Sequence, residues 1–121
     1  MDLGKGTLDM ATQLAQVEEL TAPEESAFGL SQAAVMLDQG RDDKGLMASA
    51  LERNMEVWIA VRMMVSSDDT NLSHETKDNL TKLSQFVAET TMKHGVDLPE
   101  ESLDTLINID LQISEGLLEG N

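Results

Sequence analysis

Apolar residues recur at three- and four-residue spacings through most of this chain and never settle into one-by-one alternation. That period belongs to amphipathic helices, not strands. Residues 7–20 place Met10, Leu14 and Val17 on one face, with Ala11 and Ala15 beside them, and predict an N-terminal helix that frays or docks only when a partner binds. Thr21-Ala22-Pro23-Glu24 then reads as a helix start: Thr21 to accept from the backbone, Pro23 in the first turn, Glu24 and Glu25 at the positive end. The helix that follows is predicted to reach Gln39, with Ala27, Leu30, Ala34 and Leu37 inward and Gly40 as its stop.

The middle helix, predicted over residues 46–65 after a charged connection at 41–45, has the widest apolar surface. One stripe runs Met47, Leu51, Met55, Trp58, Val65, and a second runs Ala50, Val57, Val61, Met64. Such a girdle must be covered by other helices or by a partner. A polar turn at 67–71 leads to a helix capped by Ser73, with Leu80, Leu83, Val87 and Thr90 inward, the stripe widened by Phe86, and Gly95 at its close. The last helix opens around Pro99-Glu100-Glu101 and buries Leu103, Leu106, Ile107, Ile113 and Leu117 before Gly120. The pattern predicts an all-α protein: one small domain spanning residues 1–121, a bundle of four to five amphipathic helices.

Composition sharpens that picture. Aromatic residues are only Trp58, Phe28 and Phe86, so the core is aliphatic and methionine-rich. Cysteine is absent, which excludes disulfides and thiolate metal sites and fits a cytoplasmic protein. Residues 1–7 lack the apolar run of a secretory signal, and the densest apolar stretch, 55–65, is too short and too charged to insert in a membrane. Eight Lys and Arg against 23 Asp and Glu give a net charge of −15, a field that repels phosphate and argues against direct nucleic-acid binding.

Catalytic chemistry is hard to place. His74 and His94 fall at opposite ends of one predicted helix and cannot share a metal. The stretch from Asp69 resembles a calcium loop only superficially, with His74 at the sixth position and Leu80 at the twelfth. Gly4-Lys5-Gly6-Thr7 lacks the spacing and the preceding strand of a phosphate loop. The expectation is a non-enzyme with no metal and no cofactor.

Asn54 and Trp58 remain. Either Trp58 anchors the core while Asn54 bonds to a neighbouring helix, or the pair lines a groove for a partner helix. In the docking reading the contact residues are Met47, Leu51, Asn54, Met55, Trp58, Met63 and Met64. The tryptophan side is the better core and a methionine-lined side the better contact surface, since methionine adapts to what it packs against.

The segment Ala50-Leu51-Glu52-Arg53-Asn54-Met55-Glu56-Val57-Trp58 resembles the A-L-x-x-N-x-x-hydrophobic-W segment of the bacterial flagellar biosynthesis regulator family FlaF. Leu72 to Leu80, Leu83 to Val87 with Thr90-Thr91, Leu103 to Asp110 and Ile113 to Leu117 are similar to later family segments in the same order, so residues 46–118 match best. The resemblance implies a cytoplasmic protein that binds newly made flagellin as an export chaperone. It further implies work alongside the regulator FlbT in matching flagellin synthesis to filament assembly. Against it stands a homo-oligomeric helical adaptor with no flagellin-chaperone activity.

Overall fold

The computed structural model describes residues 20–68 and 70–119. These form four α-helices and one 3-10 turn, with no strand among the described residues: α1 (Ala22–Gln39), α2 (Lys44–Val65), α3 (His74–His94), the turn Gly95–Asp97, and α4 (Glu100–Leu118). The helix expected over residues 7–20 lies outside the described residues. No helix among the described residues is long and apolar enough to cross a membrane.

α1 begins and ends where its residues dictate. The Thr21 hydroxyl accepts from the Glu24 backbone N–H at 3.2 Å, and the Thr21 N–H donates back to the Glu24 carboxylate at 3.2 Å. This reciprocal pair satisfies two backbone donors that would otherwise lack partners. At the other end Gly40 closes the helix through its N–H to Met36 and Leu37 carbonyls. The following corner is tight: a Cβ on Gly40 would lie 2.9 Å from both the N and the Cα of Met47. Gly40→Ala is therefore expected to force α2 away from α1, lowering stability by about 1–3 kcal/mol in a urea titration followed by circular dichroism.

α2 starts at Lys44, two residues before the expected position, because Asp43 caps it by accepting from the Leu46 N–H at 3.0 Å. The helix occupies the centre of the molecule, packing on α1, on α3 and on the 3-10 turn. That position accounts for its apolar girdle: Met47, Ala50, Leu51, Val57, Trp58, Val61 and Met64 are all buried.

Ser73 caps α3 as expected, accepting from the Thr76 N–H at 3.1 Å, and Gly95 takes the left-handed φ of 54° that ends it. Leu80 and Val87 are buried and Leu83 half-buried, but Phe86 is 43% exposed and does not widen the inner stripe. It projects instead over a groove shared with Thr105 and Glu101 of α4, because α3 packs on α2 and not closely on α4. In α4, Leu103, Leu106 and Leu117 are buried, with Ile107 and Ile113 packed at the margin. α1 packs on both α2 and α4. Arg41, just past α1, reaches the first turn and a half of α4, bonding Asp104 as well as Asp38, and both hold its guanidinium proton more tightly.

Candidate functional site

The seven candidate contact residues separate sharply by face. Met47, Leu51, Asn54, Trp58 and Met64 are at most 5% exposed, Met55 is half-buried at the core margin, and Met63 is 71% exposed. Helical geometry explains the division between Met63 and Met64: one residue turns the side chain by about 100°, and Met64 faces α1, where it accepts from the Ser26 hydroxyl at 3.8 Å.

The buried part of the set is organised around a carboxylate. Trp58 Nε1–H donates to Oδ1 of Asp110 at 2.9 Å, bridging α2 to α4 across 52 positions of sequence. Asn54, one turn before Trp58, lies against the other oxygen. With Asp110 ionised, the Asn54 amide nitrogen faces it and donates to Oδ2 at 2.7 Å and Oδ1 at 3.3 Å. With Asp110 protonated, the amide turns over and its carbonyl oxygen accepts from the carboxyl O–H. The cluster is thus satisfied in either protonation state. Asn54 and Asp110 are 0% exposed and Trp58 1%. Burial pushes the Asp110 carboxyl up to about 7, while the Trp58 donation pulls the other way.

Asp110 was missed by the sequence reading, which took α4's stripe from its apolar members alone. The available signal was position: Asp110 falls in the middle of the Leu103, Leu106, Ile113, Leu117 stripe, where a solvated carboxylate does not belong. Ser114 occupies the same stripe, donating to the Ala27 carbonyl at 2.8 Å and accepting from Ser31 at 2.7 Å. Closed to solvent as it is, the Asn54–Trp58–Asp110 cluster has no route for a substrate. It can fix the register of α2 against α4.

On α2 the side open to a partner is the outer one. Ile59 and Met63 are 54% and 71% exposed, with Ala60 between them. Met63 and Ala60 border a groove of about 400 Å³ between α1 and α2, with Gly29, Val57 and Met64 at its floor and Glu25, Arg53 and Glu56 at its rim. The floor is shallow because the helices approach closely: a Cβ on Gly29 would stand 3.3 Å from the Val57 methyls. His74 and His94 mark opposite ends of α3, about 30 Å apart by helical rise. Among the described residues, no three His, Asp or Glu side chains converge to hold a metal.

Comparison with known proteins gives one match: the family model described as flagellar protein FlaF aligns with residues 10–117. No curated protein and no solved structure matches the chain.

Proposed function

The chain belongs to the FlaF family of flagellar proteins, and from that premise we propose that it binds newly made flagellin in the cytoplasm. In this reading it acts as an export chaperone and, with the regulator FlbT, matches flagellin synthesis to filament assembly. The family match over residues 10–117 carries the reading. Physical support comes from the surface of α2. A chaperone for amphipathic segments that fold only on assembly needs an adaptable apolar surface on a body that stays dispersed, and exposed methionine beside isoleucine on a chain of net charge −15 supplies both.

Contact falls to Met63 and Ile59, with Met55 at the margin of the same helix. Met47, Leu51, Asn54, Trp58 and Met64 hold that surface in place from below, because buried as they are they meet a partner only if the bundle opens.

Calorimetric titration of monomeric flagellin into the protein tests the reading, with a saturable complex expected and absence of heat and of co-elution sinking it. Within the complex, Ile59→Ser with Met63→Ser is expected to weaken affinity at least about tenfold, the loss of some 1.4 kcal/mol of apolar burial. The melting temperature should not fall, since both side chains lie outside the core. Full affinity in that double variant would move the contact elsewhere while leaving flagellin binding intact.

A further inference from the structure

Charge is divided unevenly among the four helices. α1 and α4 together carry eight acidic residues and no lysine or arginine, whereas α2 and α3 carry six basic against five acidic. The two purely acidic helices are packed against each other. They run antiparallel, because Ser31 meets Ser114 at 2.7 Å while Arg41, just past the end of α1, meets Asp104, earlier in α4.

That register sets Phe28 beside Leu118 and Val35 beside Leu111. Each pair forms a rung across the outside of the seam, and the rungs are two turns apart, about 10.5 Å along the helices. The four side chains are 53%, 51%, 55% and 46% exposed respectively, although each is large and apolar. Scattered exposed leucines need no explanation, but four in two aligned rungs form a strip. Glu24 stands one turn before Phe28 and Asp38 one turn after Val35, while Glu115 flanks the strip on α4. Asp38 and Asp104, at the Val35–Leu111 end, are both bonded to Arg41, which leaves Glu24 and Glu115, among the described residues, as the acids not paired with a cation beside the Phe28–Leu118 rung.

We propose that this strip is the docking surface for an amphipathic helix of a partner protein whose apolar stripe is flanked by lysine or arginine. The two-turn spacing of the rungs matches apolar residues at i and i+7 of a helix laid along the seam. Glu24 and Glu115 at the Phe28–Leu118 end supply its electrostatic complement, and Arg41 at the opposite end sets its orientation. The same acids argue against a second copy of this chain, which would bring acid against acid. They argue equally against the chain's own residues 1–19, where Asp2, Asp9, Glu18 and Glu19 stand against Lys5 alone. The strip lies on α1 and α4, whereas Ile59 and Met63 project from α2, so the inference stands whether or not the protein binds flagellin.

The probe is a helical peptide of about 18 residues, five turns, with leucines along one face and lysines flanking them. Titrated into the full chain it is expected to bind saturably, with affinity falling as salt is raised. A peptide of the same composition but scrambled, and one with glutamate for lysine, should each bind at least about tenfold more weakly. Phe28→Ser with Leu118→Ser should cost a further tenfold or more, while Ile59→Ser with Met63→Ser leaves the affinity unchanged. Glu24→Gln with Glu115→Lys, which touches no core residue and keeps the capping partner of Thr21, should erase the preference for the basic peptide.

Equal binding of the scrambled peptide would overturn the proposal, reducing it to bulk attraction by an acidic chain. So would full affinity in the Phe28/Leu118 variant with an unchanged melting temperature. A dimer in sedimentation that Phe28→Ser dissociates would assign the strip to a second copy. Tighter peptide binding by a full-length Leu14→Ser, Val17→Ser variant would assign it to the chain's own N-terminal segment.

Discussion

Trp58→Ala is expected to destabilise the protein by about 4 kcal/mol or more, enough to leave a domain of this size partly unfolded at 37 °C. Trp58 is 1% exposed and is the largest of the fully buried side chains. Its removal opens a cavity between α2 and α4, and large aromatic truncations in cores cost roughly 3–5 kcal/mol for that reason alone. A second loss adds to it, because Asp110 then lacks the indole N–H that holds Oδ1. Trp58→Phe separates the two contributions: it keeps most of the ring volume and deletes the donor, so it should cost about 1–3 kcal/mol. Since this is the chain's only tryptophan, unfolding has to be followed by far-ultraviolet circular dichroism in urea. A cost under 1 kcal/mol for Trp58→Ala would mean that the indole is not the anchor of this core. A substitution this damaging also cannot report on docking, because flagellin binding and folding would be lost together. The exposed Met63 and Ile59 are the positions for that measurement.

The boundaries of α1 were readable from residues alone because Thr21, Glu24 and Gly40 act within one turn of where they stand. The start of α2 was less so: Asp43 lies inside a charged connection, and nothing local distinguishes a capping aspartate from its neighbour Asp42 until the chain direction is known. Which methionines face outward was harder again. A helix apolar on nearly every side gives no contrast from which to orient it, and Met63 and Met64 differ only in what the rest of the bundle places beside them. Asn54's bond to a neighbouring helix was foreseeable as a requirement, since a buried amide must be satisfied. Its partner was not, because Asp110 lies 56 positions away and approaches only once α1 has brought α2 and α4 together. The strip across α1 and α4 is of the same kind. Phe28 lies outside the Ala27, Leu30, Ala34, Leu37 stripe, and nothing local says what stands beside it until the Ser31–Ser114 contact fixes the seam. Local chemistry sets helix ends and stripes, while pairing sets sites.

The buried cluster also makes stability depend on pH in an unusual direction. Asp110 is the one ionisable side chain among the buried described residues, and burial pushes it from 3.8 to about 7. A carboxyl whose folded pKa lies above its unfolded value is protonated more readily in the folded state. Between pH about 4 and about 7 the folded chain therefore binds more protons than the unfolded chain, and stability falls as pH rises through that window. At 1.36 kcal/mol per unit, the full loss is at most about 4 kcal/mol, and donation from Asn54 to the ionised carboxylate reduces it. Asp110→Asn imitates the protonated carboxyl: its carbonyl oxygen accepts from Trp58 Nε1–H, and its amide nitrogen donates to an Asn54 turned carbonyl-inward. The variant should match the original chain within about 1 kcal/mol at pH 5 and exceed it by a few kcal/mol at pH 8. General repulsion among the other acidic groups raises or lowers both proteins alike, so the difference between their urea titrations isolates Asp110. A difference that vanishes at pH 8, or favours the aspartate there, would mean that two N–H donors outweigh burial and that the carboxylate is the native form across the whole range.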